Sequence, residues 1–360
     1  MARGSAARMP IAALVAAALA AACGGDDAPS GPVPGADAGS ADATPADATA
    51  RDSASDAAAE LDAGEPLGPP YPIVLAHGFF GFEEFAGVDF VTYFHGVKDH
   101  LAANGEPLVF TPPVDPFNDS TTRGRQLLAH VERIVAETGH ARVNLVGHSQ
   151  GGLDARVVAH ERPDLVASVT TIATPHQGTP ISDVVLQLVT RDDWREAADA
   201  LVRLAGQPLW DEAGEETSLI AAMEQMSSPG MEAFNAEYTD APGVAYYSLT
   251  GRTDWHRGGA TCGIAAAPDF IARLSAELDP VDPLLEITEI MLDGGFGDPY
   301  PNDGLVRAED ARWGRFLGCI PADHLDQIGH LLGDHPGFGN DFSHLDFYAE
   351  LVAWLRAQDH

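Results

Sequence analysis

From Tyr71 onward, short apolar runs alternate with stretches of helical spacing. Pro72–Ala76, Leu108–Thr111, Val143–Val146 and Val166–Ile172 are each too short for a helix and mostly apolar, so each is predicted as a buried strand. Between them lie a helical stretch around Tyr93–Ala103, a second over residues 122–138, and a third over Gln150–Arg162 that ends at Pro163. The second puts Leu127, Leu128, Val131, Ile134 and Val135 on one face and stops at Gly139. Alternation of this kind predicts an α/β protein with a mostly parallel central sheet and helices on both faces. The rhythm breaks at residues 181–228. There, one amphipathic pattern runs through Val184, Val185, Leu188 and Val189, and another through Leu201, Leu204 and Leu219–Met226, which predicts an inserted helical cap. A strand at Tyr246–Leu249 and a helix near Phe347–Leu355 close the chain, and no internal repeat is visible.

The N-terminus does not share this pattern. Arg3 and Arg8 precede an uncharged run from Met9 to Ala22 and then Cys23, which reads as an export signal, since the run is short of the ~20 residues a membrane span needs. Ala20-Ala21-Ala22 before Cys23, with Gly24 and Gly25 behind it, resembles a bacterial lipoprotein signal over residues 1–23 with Cys23 lipidated; Ala20 replaces the usual leucine, and plain cleavage with free secretion is the alternative. Residues 24–70 are built almost wholly from Ala, Asp, Gly, Pro, Ser and Thr, too poor in large apolar groups to offset the entropy of ordering. A disordered tether is expected there, averaging roughly 40 Å end to end, with a catalytic domain over residues 71–360.

Charge and cysteines narrow the partners. The formal net charge is −34, most of it in the region after the tether, so nucleic acid and anionic membranes are excluded as partners, leaving contact with a membrane through a lipid anchor only. If Cys23 carries a lipid, Cys262 and Cys319 remain, and in an oxidising compartment a disulfide between them is the default, worth roughly 4 kcal/mol in the chain-entropy account. Two separately buried thiols are the alternative.

Gly147-His148-Ser149-Gln150-Gly151 lies between the strand Val143–Val146 and the helical stretch that begins at Gln150. A serine at such a strand-to-helix turn has a strained backbone and needs flanking glycines for close packing, which is the nucleophile turn of the α/β-hydrolase fold. A hydroxyl needs a base to take its proton, and a tetrahedral oxyanion needs fixed donors. His77-Gly78-Phe79 follows the first strand, so the backbone N–H groups of Phe79 and Gln150 are the candidate oxyanion donors. In this fold the acid and base follow the nucleophile in the order Ser, Asp, His, an order kept by Asp303 of Asn302-Asp303-Gly304 and by His324 of Asp323-His324-Leu325-Asp326. His344-Leu345-Asp346 repeats the triplet; His324 is preferred because it falls in a loop, whereas His344 opens a helix.

YPIVLAHGFFGF, VNLVGHSQGG, ERPDLVASVTTIATPHQGT, EAFNAEY, YYSLTG, LDP, NDGLV and DHLDQIGHLLG, in this order, resemble the Pseudomonas and Burkholderia family of bacterial triacylglycerol lipases across nearly all of the chain from Tyr71 on. The resemblance implies a serine lipase acting on acyl glycerols at a lipid interface, with Ser149, Asp303 and His324 as triad and Phe79 and Gln150 at the oxyanion hole. It implies that residues 181–228 form a lid. It further implies a structural calcium held by the Asp279 and Asp326 carboxylates and the His330 and Asp334 carbonyls, with His330 standing where glutamine is usual. Two carboxylates with loop carbonyls suit a hard cation independently of family, and Asp326, two residues from His324, would let the ion steady the base. The family's second cysteine follows its NDG motif closely, where this chain has Glu309, so Cys319 would be a relocated partner. Family members also tend to need a dedicated foldase, so the resemblance implies a lipase-specific foldase as a further partner. No organic cofactor is implied. Two other readings use the same residues differently: a carboxylesterase for short soluble esters, and a surface-binding protein on a silent hydrolase fold.

Overall fold

The structure is a computed structural model, and it describes residues 65–79, 93–188, 217–253, 267–274, 279–293, 300–330, 336 and 340–360. Residues 65–360 form one compact unit. Cys23, Cys262, Asp334, the signal, most of the tether and residues 189–216 of the expected lid lie outside the described residues.

Among the described residues, six strands form one sheet: β1 (Ile73–Ala76), β2 (Val109–Phe110), β3 (Val143–His148), β4 (Val166–Ile172), β5 (Ala245–Gly251) and β6 (Arg315–Ile320). Their order is β2-β1-β3-β4-β5-β6. Every pairing is parallel, so the sheet is more uniform than the mostly parallel one expected. Parallel strands need crossovers, and helices supply them. Alternate residues of β1 divide the core in two. Ile73 and Leu75 join Val97 and Leu101 of α1 (Val97–Ala103) and Phe347, Leu351 and Leu355 of the last helix (His344–Arg356). Val74 and Ala76 join Leu127, Val131 and Ile134 of α2 (Ser120–Thr138) and Ala155 and Val158 of α3 (Gly151–Glu161). Helices thus cover both faces, as the burial of every β1, β3 and β4 residue requires.

The α2 helix starts two residues earlier than its spacing predicts, because the Asp119 carboxylate accepts the Thr122 N–H at 3.0 Å and caps it. Past β4, the chain forms α4 (Pro180–Leu188), α5 (Leu219–Gln225) and α6 (Ser228–Glu237). Met226 and Ala222 pack with Met231, Phe234 and Tyr238 onto Leu153 and Val157 of α3. Among the described residues, α7 (Asp269–Leu274), α8 (Glu286–Leu292) and α9 (His344–Arg356) follow. No described helix is long and apolar enough to cross a membrane.

One boundary is corrected. The stretch 24–70 is not free of structure to its end, since Leu67 forms a parallel bridge to His140, its N–H donating to Gly139 and its carbonyl accepting from Ala141. The Leu67 side chain is exposed, so only backbone pairing holds it. Cys319 on β6 is disulfide-bonded, and both other cysteines of the chain lie outside the described residues.

Candidate active site

The carboxyl ends of β1 and β3 lie side by side, with Ala76 opposite Gly147. The turn after each strand therefore faces the other. Ser149 sits in the left-handed region at φ 54°, an uncommon conformation for a side-chain-bearing residue. Its N–H donates to Ile172 O at 2.8 Å, and its carbonyl accepts the Thr174 hydroxyl at 2.7 Å, so the strained turn is tied on both sides. The surrounding glycines are there for proximity. A Cβ on Gly151 would come within 2.1 Å of Ala76 O, one on Gly152 within 2.0 Å of Thr174 Oγ1, and one on Gly78 within 2.6 Å of Ser149 Cβ.

The Asp303 carboxylate is buried and accepts hydrogen bonds at both oxygens. Oδ1 takes the Leu305 and Val306 N–H groups at 3.1 and 2.8 Å, the local turn expected of Asn-Asp-Gly. Oδ2 takes Gln327 Nε2 at 3.0 Å and His324 Nδ1 at 2.8 Å. An ionised carboxylate only accepts, so Nδ1 carries the proton and Nε2 of His324 is left basic. The His324 backbone N–H also donates to Asp303 O at 2.8 Å, which fixes base and acid together twice. The His324 ring lies 4.6 Å, centroid to centroid, from that of His148, the residue before Ser149. His344, the rival, is buried elsewhere and donates Nε2–H to His95 O at 2.8 Å.

Phe79 and Gln150 lie on the two facing turns, and Gln150 precedes the first turn of α3, where N–H groups have no partner within the helix. The Phe79 ring packs edge-on against Phe117 at 5.7 Å. Behind the Phe79 turn, the His77 ring is fully buried. Its Nε2 accepts the Val114 N–H at 3.1 Å, which leaves Nδ1–H to donate to Gly78 O at 3.0 Å. Burial first, and the nearby Arg123 charge second, push the His77 pKa down to about 3.

A second centre adjoins His324. Asp279, Asp323 and Asp326 are all buried, and one carboxylate oxygen from each lies within 4.8 Å of the others. Asp323 Oδ1 accepts the Leu325 and Asp326 N–H groups and Oδ2 accepts Asp282 N–H. Asp279 has no such support: neither oxygen makes a full hydrogen bond, the Asp323 backbone offering only a weak contact. Burial, then the Asp323 and Asp326 charges, push its pKa up to about 9. Asp323 is a member of this cluster that the sequence reading left out. The His330 ring packs edge-on to Tyr93 at 5.5 Å, the His330 backbone N–H donates to Leu325 O, and burial lowers the ring's pKa to about 4.

Other supporting groups carried no motif signal. Tyr93 is hydrogen-bonded through its hydroxyl to His148 Nδ1 at 2.8 Å. Gln327 holds Asp303 as described. Arg123 and Asp154 form an ion pair at 2.8 Å in which both side chains are essentially inaccessible. Burial raises the Asp154 pKa to about 6 against the pull of Arg123.

The parallel sheet, the strained serine at the end of β3 and the coupled Asp303–His324 pair are those of an α/β-hydrolase, and the sequence profile of the alpha/beta hydrolase fold matches residues 71–207. A triacylglycerol lipase of Vibrio cholerae is 35% identical over 282 residues, covering 75% of this chain and 83% of its own length. Another from Pseudomonas fragi is 31% identical over 278 residues, covering 72% of this chain and 88% of its own. The Staphylococcus hyicus lipase structure superposes with a TM-score of 0.56 at 19% identity, covering 82% of this chain and 98% of that one, a likeness of fold. This chain belongs to the bacterial triacylglycerol lipase family, and it is a carboxylic ester hydrolase.

Proposed function

We propose that the protein is a triacylglycerol lipase that releases fatty acids from acyl glycerols through an acyl-enzyme on Ser149. His324 Nε2 takes the Ser149 proton as the hydroxyl attacks the ester carbonyl, the Phe79 and Gln150 N–H groups hold the oxyanion, and Asp303 keeps the imidazole in the required tautomer. His324 then protonates the leaving alcohol, and water repeats the sequence to free the acid. The observation that carries this reading is the 2.8 Å His324–Asp303 bond beside the strained Ser149 turn.

Calcium fits the carboxylate cluster by its chemistry: Asp279, with two buried oxygens lacking full partners, is costly to keep charged unless a cation neutralises it. Asp279 and Asp326 would hold the ion, with Asp323 beside them and the carbonyls of His330 and Asp334 completing the set; when bound, it supplies charge neutralisation and ties together the loop that carries His324. Residues 181–228 would serve as a lid. Export, with Cys23 as a lipid anchor, a Cys262–Cys319 pairing and foldase-assisted maturation complete the reading.

Emulsified long-chain triacylglycerol compared with a soluble short-chain ester, for wild type and Ser149→Ala, tests it. The expected result is a preference for the emulsion that Ser149→Ala abolishes along with ester turnover. Preference for the soluble ester with no rise at an interface would replace lipase by carboxylesterase, and no turnover of either would leave only a binding role.

A further inference from the structure

Arg123 and Asp154 stand on neighbouring helices, 31 positions apart in sequence, and each belongs to a different side of the oxyanion site. Asp154 lies in the first turn of α3, the helix that begins immediately after Gln150. Arg123, near the start of α2, turns its guanidinium toward the loop after β1. Its Nη2 donates to His77 O at 2.6 Å and to Gly78 O at 3.3 Å, the two carbonyls that precede Phe79. Nη1 donates to Asp115 O at 2.7 Å, while Nε and Nη2 reach Asp154 Oδ2 at 2.9 and 2.8 Å. All these groups are buried. The bridge is short because the helices almost touch: a Cβ on Gly124 would lie 2.5 Å from Val157 Cβ.

We propose that the Arg123–Asp154 pair sets the spacing between the two oxyanion donors, the Phe79 and Gln150 N–H groups. The inference rests on the reading of those groups given above. Arg123 is the strut between the Phe79 loop and α3, and Asp154 is the positioning residue that fixes how the planar fork is presented, since a guanidinium bound to one carboxylate has its remaining donors aimed in set directions. Neither residue touches substrate. A neutral partner would leave Arg123 buried without a counter-charge and free to rotate its fork away from His77 O and Gly78 O. The Phe79 N–H would then drift from the place where negative charge develops in the transition state, with little effect on ground-state binding.

The test uses full-length protein with a soluble p-nitrophenyl ester and its thionoester analogue, in which a larger, more weakly accepting sulfur must enter the oxyanion site. Asp154→Asn should lower kcat for the ester at least 10-fold with KM within twofold. The ratio of ester to thionoester turnover should fall by a similar factor. Arg156→Gln, which removes another buried arginine from α3 without touching the Phe79 loop, serves as the control for destabilisation and should lower the melting temperature but leave the ratio unchanged. If Asp154→Asn fails to fold, Arg123→Lys, which keeps the charge but loses the fork, should show the same fall in ratio. An unchanged ratio in the folded variant, or an equal change in Arg156→Gln, overturns the inference. Ser149→Ala separates the levels: retained turnover there refutes the nucleophile, whereas its loss together with an unchanged Asp154→Asn ratio refutes only the strut.

Discussion

Asp303→Asn discriminates sharply because four donors converge on that carboxylate. Oδ1 receives two backbone N–H groups, from Leu305 and Val306, and Oδ2 receives Gln327 Nε2 and His324 Nδ1. An asparagine has one oxygen to offer. Turning its NH2 toward Oδ1 would set a donor against two main-chain donors that cannot rotate, so the amide nitrogen should take the Oδ2 place. Gln327 can adapt by flipping, since its buried Oε1 makes no full hydrogen bond, only a weak contact with the His148 side chain, and would then accept from the new amide. His324 cannot adapt without harm. Facing a donor, its Nδ1 must become an acceptor, which moves the proton to Nε2, the nitrogen needed to accept from Ser149. Wrong-tautomer substitutions of this kind cost about 10⁴ in kcat, or roughly 5 kcal/mol of barrier. Packing is unchanged, so the melting temperature should fall by no more than the few degrees of a roughly 1 kcal/mol loss. The assay is steady-state hydrolysis of a soluble ester, with thermal unfolding on the same sample. More than a tenth of wild-type kcat remaining would refute the tautomer argument, and so would a collapse of the fold accounting for the whole loss.

Chelation of divalent cations should lower both thermal stability and activity, calcium should restore both, and Asp279→Asn should blunt the response; a melting curve indifferent to chelator and to calcium would remove the ion. Gly151→Ala should cost about 3 kcal/mol and drop kcat more than 100-fold, because a Cβ 2.1 Å from Ala76 O pushes the start of α3 and the Gln150 N–H away; denaturant midpoint and kcat measured together check this. Acid should unfold the protein through its buried neutral histidines. His77 has a folded pKa depressed to about 3 against an unfolded value near 6.5, so its stabilising contribution is complete above pH ~6.5 and is lost as pH falls toward 3, up to roughly 5 kcal/mol. His148 and His176, lowered by burial, act in the same direction. Asp154, raised to about 6, acts oppositely, its contribution being present below pH ~4 and lost as pH rises through 6. Equilibrium unfolding at stepped pH should therefore show net stability falling below pH 6, and a flat profile to pH 4 would contradict it.

How far the chain could be read from its residues follows the range of the interactions involved. β1, β3 and β4 were legible because strands buried on both faces are continuous apolar runs. β6 was not: Arg315-Phe316-Leu317-Gly318-Cys319-Ile320 begins exposed, at the sheet edge, and includes a glycine. The α8 helix escaped because Ile287 and Ile290 face outward while Glu289 is buried beside Leu292, so its apolar positions do not mark the face that packs. Leu67 escaped because main-chain bonds, which composition does not encode, dock it. At the site, Ser149 and its glycines are a local backbone requirement and so leave a local signature, and loop context separated His324 from His344. Asp323 lay within the very tetrapeptide that supplied His324 and Asp326, and a third carboxylate there was a signal available to be read. Arg123 and Asp154 are unremarkable helix residues in sequence, and only the close approach of α2 and α3 makes them partners.

The most direct test of the nucleophile is covalent. The full-length protein is treated with a fluorophosphonate, which reacts with an activated serine and leaves a stable adduct, and the modified peptide is located by mass spectrometry as residual activity is followed. The account predicts a single adduct on Ser149, formed in step with loss of hydrolysis and absent in Asp303→Asn under the same exposure. Stoichiometric labelling of another residue, or full activity with Ser149 modified, would contradict it.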